Sequence, residues 1–218
     1  MNTNKRISSA VIKRLPRYYR YLGDLLEADI ARTSSEELSA RMNLTASQIR
    51  QDFNNFGCFG QQGYGYNVSA LYSEIKTILG LDRKYRLIII GAGNIGQSLA
   101  NYANFEKRGF TFTAIFDQDP NLIGQDVNGL TVLDINTLDK YLQEQDVDIA
   151  VLTLPKVAAL KISEKIIKAG VKGIWNFSHV DISVPPNVVV ENVHLTDSLL
   201  TLSYRLNEQV TLENCRQN

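Results

Sequence analysis

The sequence predicts an α/β protein: a small helical unit, then a doubly wound parallel sheet, then one more helix. Three observations predict it. An apolar run, Leu87 to Ile90, ends directly on a glycine-rich turn and a helical pattern follows. From there to Phe177, β-prone apolar runs alternate with helical ones. Before it, a basic helical stretch leads into two short capped helices and a ribbon of glycine and aromatic residues.

The glycine turn organises the chain. Gly91, Gly93 and Gly96 form G-x-G-x-x-G between a strand and a helix marked by Ile95, Leu99, Tyr102 and Ala103. In that context the pattern is the dinucleotide-binding fingerprint of a Rossmann domain. The first glycine makes the tight turn, the second admits a pyrophosphate against the backbone, and the third lets helix and strand pack closely. Free N–H groups at the helix start, with its dipole, then face the phosphates. Gly91, Ala92, Gly93, Asn94, Ile95 and Gly96 are therefore candidate cofactor contacts. The next strand, Phe110 to Phe116, ends at Asp117, 21 residues after Gly96. A carboxylate there accepts from both ribose hydroxyls and repels a 2′-phosphate, which favours NAD over NADP. The plainer alternative is a strand–turn–helix with small residues at a close contact.

Leu130 to Leu133 reads as a strand, Ile135 to Leu142 as a helix, and Asp148 to Pro155 as a buried strand. Ala158 to Ala169 reads as a helix closed by Gly170, and Gly173 to Phe177 as a strand. Such alternation implies a parallel sheet with right-handed crossovers, and ligands gather at the carboxyl ends of its strands. Thr153, Pro155, Asn176 and Phe177 stand at those ends beside the glycine turn and Asp117.

In the first 80 residues, Val11, Leu15, Tyr18, Tyr19, Leu22 and Leu26 recur at helical spacing, with Pro16 inside the pattern. Proline there predicts a helix beginning near Leu15 or a break. Thr33 to Glu37 carries a cap signal for a short helix through Met42. Thr45 and Gln48 open another as N-cap and capping-box partner. Two short helices joined by a tight turn, the second with Ser47, Gln48, Arg50 and Gln51 on its first turns, form a helix-turn-helix pattern. Such a helix can enter a major groove, with its polar residues at base edges and phosphates. Many small helical units share this profile without binding DNA. The stretch Phe56 to Tyr66 reads as a two-stranded ribbon, a wing, because its aromatics need something to pack on. Gln62 and Tyr64 in this stretch, and Thr45 at the N-cap of the second helix, are further candidate DNA contacts. Val68 to Leu79 is an amphipathic helix with Gly80 as C-cap, and the domain boundary falls at Gly80–Lys84.

The net charge of zero hides an asymmetry: residues 1–66 hold nine Lys+Arg against six Asp+Glu, and the rest fourteen against seventeen. Residues 1–20 carry six basic residues and no acid, so an anionic partner for that end competes with a solvated helix face. At 218 residues, 44% hydrophobic and 21% charged, the chain reads as a soluble, cytoplasmic globular protein without signal peptide or membrane partner. Cys58 and Cys215 lie far apart, without metal spacing, and read as unpaired thiols. No metal site and no catalytic residue is expected. His179 could serve a dehydrogenase, but a lone histidine near a strand end is more often structural. No second substrate domain remains to be assigned, so a domain that holds NAD without reacting it is the better reading. The competing ones are an NAD-dependent oxidoreductase with a basic N-terminal appendage and an NAD-binding scaffold. The last segment, Asp197 to Asn207, is a helix with leucines around much of its circumference, buried on its own domain or in a second subunit.

Several stretches together resemble the Rex family of bacterial redox-sensing transcriptional repressors over nearly the whole chain. They are Arg14–Leu22, Arg32–Ser35, Gln48–Asp52, Phe56–Gly60, Gly63–Tyr66, Gly91–Gly96, Phe116–Pro120, Gly173–Phe177 and Glu191–Leu195. The resemblance implies a homodimer: residues 1–80 a winged helix-turn-helix, 81–192 a Rossmann domain, and 193–218 a dimerisation helix and tail exchanged between subunits. It implies binding to a palindromic double-stranded operator with NAD+ bound or the site empty, and release by NADH, with the cofactor an effector that is not reacted. By position it implies DNA contacts at Arg14 and Arg50 and coupling between domains at Arg20, Tyr102 and His194. Three positions depart from the family pattern. Gln51 stands where lysine is usual, Gln61 and Gln62 where the wing usually carries a basic residue, and His194 where aspartate is usual. The lost charges predict weaker phosphate contacts and a flatter salt dependence. The imidazole cannot form the family's ion pair with the Arg20 and Tyr102 positions, which predicts an altered, pH-sensitive switch.

Overall fold

The structure, a computed structural model, describes residues 7–56, 60–61 and 65–217, with the side chains of 60, 61 and 212–217 left aside. It divides into two compact units, Met1–Arg83 and Lys84–Asn218.

The first unit runs α1 (Ser9–Glu27), β1 (Arg32–Thr33), α2 (Ser35–Met42), α3 (Ala46–Asn54), β2 (Gly60–Gln61), β3 (Gly65–Asn67), α4 (Val68–Ile78). Neither a start near Leu15 nor a break at Pro16 occurs: α1 begins at Ser9, capped by Ser8, and continues through the proline. Pro16 sits on the exposed face, where the carbonyl it leaves without a donor is open to water, while Val11, Leu15, Tyr18, Leu22 and Leu25 bury the opposite face. Ser34 and Glu37 close a reciprocal capping box on α2; at α3, Thr45 accepts from the Gln48 N–H. Two elements of α1 hold the far end of α2: Arg17 Nη2 donates to Met42 O at 2.6 Å and Tyr21 OH to Arg41 O at 2.9 Å. The expected ribbon, β2 with β3, gains a third strand, giving the antiparallel order β1-β3-β2. Gly80 follows the end of α4 with φ +72°, and the Leu81 N–H returns to Lys76 O, a glycine-closed helix end.

The second unit is a seven-stranded sheet, order β10-β9-β8-β4-β5-β7-β6, parallel except for the short hairpin partner β6. Its elements are β4 (Tyr85–Ile90), α5 (Asn94–Ala100), β5 (Phe110–Asp117), β6 (Asp126–Val127), β7 (Leu130–Asp134), α6 (Leu138–Glu144), β8 (Ile149–Leu152), α7 (Lys156–Lys168), β9 (Gly173–Asn176), β10 (Val189–Asn192) and α8 (Leu195–Gln217). The chain starts at the centre with β4, builds outward through β5 and β7, then crosses back to β8, β9 and β10, the doubly wound order the alternation predicted. Buried aliphatics form one cluster on each face, with Ile88 and Ile90 in one and Leu87 and Ile89 in the other, as strand alternation requires. The helix after the glycine turn is shorter than its pattern suggested. It ends at Ala100, with Asn101 as C-cap, and leaves Tyr102 exposed in the following loop.

α8 does not dock on its own domain. All its described side chains, residues 195–211, are exposed, including Leu199, Leu200, Leu202 and Leu206.

Candidate functional site

The carboxyl ends of β4, β5 and β8 meet as the strand order predicts, around a cavity of about 470 Å³. Gly91, Gly93, Asp117, Thr153 and Pro155 line it. The glycines make contacts no other residue could. At Gly91, φ is +110°, and a Cβ would lie 2.7 Å from the Thr153 carbonyl oxygen. At Gly96 a Cβ would run into the Gly91 carbonyl, so the third glycine sets the helix against the turn. A Cβ at Gly93 would meet nothing within 4 Å, so this backbone faces open space, as needed for approach to a phosphate chain. Gly93, Asn94 and Ile95 are exposed, whereas Gly91, Ala92 and Gly96 are buried. Thr153 Oγ1 donates to Gly91 O at 2.7 Å and ties β8 to the turn.

Asp117 is tied into the backbone around the turn. Its Oδ2 accepts from the Ala92 N–H at 2.6 Å and its Oδ1 from the Gln118 and Asp119 N–H groups at 2.7 and 2.9 Å. The carboxylate pins the glycine turn to the end of β5 while its remaining lone pair stays open to the cavity. Asp117→Asn turns an amide NH2 toward one of these N–H groups. The expected loss is about 1–3 kcal/mol of unfolding free energy, measured by urea denaturation of the ligand-free protein.

Two predicted site residues sit differently from expectation. Asn176 is fully buried and committed: its Nδ2 donates to Val180 O at 2.7 Å and Asn192 Oδ1 at 2.8 Å, and its Oδ1 accepts from the Ser178 N–H. It positions the loop after β9 rather than offering a group to a ligand. Phe177 is half-buried, packed edge-on against Trp175 at 4.7 Å between ring centres. Sequence reasoning missed Gln118, Asn136 and Lys161 in the cavity lining. Lys161 stands on α7 one turn before Lys165, which pairs with Asp139 at 2.9 Å; in sequence both look like solvated helix lysines.

In the first unit, α3 buries Ile49, Asp52 and Phe53 and turns Thr45, Ser47, Arg50 and Gln51 outward, with Gln48 partly covered. Gln62 and Tyr64 lie outside the described residues. Arg14 is not a free surface cation. Its Nε and Nη2 grip Asp52 Oδ2 and Oδ1 at 2.6 and 2.7 Å, and Tyr18 OH donates to the same Oδ2 at 2.7 Å. The hydrogen bond to Asp52 raises the Arg14 pKa, and burial, then the bond to Asp52, raises that of Tyr18. Within the second unit, Tyr102 and His194 have separate partners: Tyr102 OH accepts from Asn104 at 3.3 Å and His194 Nε2 faces Asp181 Oδ1 at 3.3 Å. Arg20 lies over the Tyr21 ring at 5.4 Å. Among the described residues no group of acidic, histidine and cysteine side chains could hold a metal ion, and no helix is long and apolar enough to cross a membrane.

Comparison with known proteins agrees with both units. Residues 82–180 match a family described as CoA binding domain, and residues 6–54 one described as "Putative DNA-binding protein N-terminus". The redox-sensing transcriptional repressor Rex of Clostridioides difficile is 57% identical over 94% of this chain and 98% of its own. That of Clostridium novyi is 55% identical over 95% and 99%. Both relatives are named as repressors, not enzymes. The crystal structure of RSP, a Rex-family repressor, superposes with a TM-score of 0.89 at 50% identity, covering 98% of this chain and 100% of RSP. RSP in complex with β-NAD+ and operator DNA gives a TM-score of 0.88 at 51% identity over 99% of each chain. With identity above half over nearly its full length, the chain belongs to the Rex family of redox-sensing transcriptional repressors.

Proposed function

We propose that this protein is a redox-sensing repressor that binds a palindromic operator as a homodimer and leaves it when NADH replaces NAD+. The observation that carries this reading is the full-length similarity to RSP, solved with β-NAD+ and operator DNA and separately with β-NADH. Residues 1–80 form the DNA-binding domain, with Ser47, Gln48, Arg50 and Gln51 toward the major groove, Thr45 toward phosphate and Gln62 and Tyr64 on the wing. Arg14 serves that domain chiefly by holding Asp52 of α3. Residues 81–192 form the dinucleotide-binding domain and 193–218 the dimerisation segment. The protein works in the cytoplasm, beside its DNA and its cofactor pool.

The residues present fit a dinucleotide: a glycine turn open at Gly93, a carboxylate at Asp117 for the ribose, and a cavity closed on one side by Thr153 and Pro155. The oxidised ring carries a positive charge and the reduced ring does not. For that difference to act, the chain must bind the two forms unequally in its DNA-competent and DNA-incompetent shapes. The lever is the angle between the paired dinucleotide domains, which sets the spacing of the two recognition helices on their half-sites. Arg20, Tyr102 and His194 carry the coupling, with Asp181 supplying a carboxylate beside the imidazole. Coupling is reciprocal, so operator DNA weakens NADH binding by the factor by which NADH weakens operator binding.

The test is fluorescence anisotropy on a Rex-type palindromic duplex at fixed salt, titrating NADH with and without NAD+. Release by NADH, opposed by NAD+, is expected. Binding indifferent to NADH overturns the redox-sensing part, and no binding at low salt overturns the repressor reading for that operator.

A further inference from the structure

Arg50 does not project freely from α3. Its Nη1 gives one proton to Ser35 Oγ at 2.8 Å and the other to Glu36 Oε1 at 2.8 Å. Ser35 Oγ in turn donates to Glu36 Oε2 at 3.1 Å, so the three side chains close a ring. The ring stands on rigid ground. Ser35 and Glu36 open α2, whose first turn is locked by the Ser34–Glu37 capping box, with Thr33 donating to Glu37 at 3.0 Å. Ser35 is buried, while Arg50 and Glu36 remain open to solvent with side-chain exposures of 51% and 68%.

An exposed ion pair of this kind adds little to stability. What it does is geometric. One guanidinium nitrogen is spent, and the Nε–Nη2 edge, with three N–H groups, takes no part in the ring. That edge is a fork that matches two adjacent acceptors, either guanine O6 and N7 or two phosphate oxygens. Glu36 separates these targets. A guanine edge is neutral and tolerates the neighbouring carboxylate, whereas a phosphate placed at the same fork is repelled by it. The carboxyl keeps its charge: its own backbone N–H, then Arg50 and Ser35, hold it below the usual carboxylate range. Gln51, beside Arg50, adds no cation that would offset the repulsion.

We propose that Ser35 and Glu36 are specificity-determining positioning residues that hold Arg50 by one nitrogen and reserve its free edge for a base rather than a phosphate. This rests on the reading of residues 1–80 as the DNA-binding domain.

The experiment uses the full chain. Duplexes are enriched from a random-sequence pool by the wild-type protein. The enriched duplex and a scrambled one of equal composition are then compared at fixed salt for wild type, Glu36→Gln and Ser35→Ala, with thermal unfolding as a control on folding. Glu36→Gln is expected to bind the scrambled duplex roughly tenfold tighter and to lower the enriched-to-scrambled ratio by a similar factor, at unchanged thermal stability. Ser35→Ala is expected to lower the ratio in the same direction, by less. A ratio unchanged in Glu36→Gln, or both affinities rising by one factor, overturns the proposal while leaving the DNA-binding reading intact. A wild-type chain that enriches no sequence overturns that reading, and the proposal with it.

Discussion

Asp52→Ala is expected to cost the N-terminal unit about 3–5 kcal/mol, the range for removing one partner of a buried ion pair. Asp52 is 2% exposed and accepts three hydrogen bonds, two from Arg14 and one from Tyr18. Its loss leaves a guanidinium with 18% side-chain exposure, and the Tyr18 hydroxyl beside it, without the carboxylate that both bind. For a domain of this size, whose total stability is on the order of 5–15 kcal/mol, that is a large fraction. Chemical denaturation followed by far-UV circular dichroism measures it. A double variant, Arg14→Met with Asp52→Leu, should recover much of the loss, because it removes both charges instead of stranding one. A loss below about 1 kcal/mol in Asp52→Ala would show that the pair is screened like a surface one.

The same network gives an alkaline limit. Burial and the bond to Asp52 hold the Tyr18 hydroxyl protonated above its ordinary range. In the unfolded chain that hydroxyl ionises near pH 10, roughly its reference value. Its contribution is therefore whole below about pH 10 and is lost as pH rises beyond that toward the folded value. Tyr18→Phe should flatten this alkaline fall in unfolding free energy.

The dinucleotide-binding half was legible because its signals are local. The turn chemistry of Gly91, Gly93 and Gly96, the apolar strand before them and Asp117 at the end of the next strand all lie within 31 residues, from Leu87 to Asp117. Each follows from backbone geometry or from strand periodicity. What stayed hidden depends on distant partners. Arg14 looks the same in sequence whether it faces solvent or a carboxylate 38 residues away, and only the fold brings Asp52 to it. Asn176 has the position of a ligand group, but Val180 and Asn192 claim its amide once β10 pairs with β9. The two-residue strands β1 and β6 have too little length for any periodicity and exist because β3 and β7 offer free edges. Pro16 misled for a related reason. The rule against proline within a helix assumes an unsatisfied carbonyl, and on an exposed face water can satisfy it.

Substituting Leu199, Leu202 and Leu206 of α8 together by Gln is expected to yield a monomer whose operator affinity falls by about 10²–10⁴-fold. Within one chain these leucines are 65%, 52% and 54% exposed, on a helix of 23 residues that has no apolar cover among the described residues. Water contact of that extent on so many large apolar side chains is costly, and a second copy of the helix and domain is the cover the family reading supplies. The effect on DNA is larger than the effect on folding, because each chain brings one recognition helix. A palindrome bound by two linked helices gains from effective concentration, and separate chains lose that gain in full. Sedimentation velocity measures the first consequence and anisotropy on full and half operators the second. The decisive comparison is on the half-site, where the variant should bind as weakly as wild type does. A variant that stays dimeric would move the subunit contact elsewhere on the chain. A monomer with undiminished operator affinity would instead mean that one recognition helix suffices, and that the symmetry of the operator is not read by the symmetry of the protein.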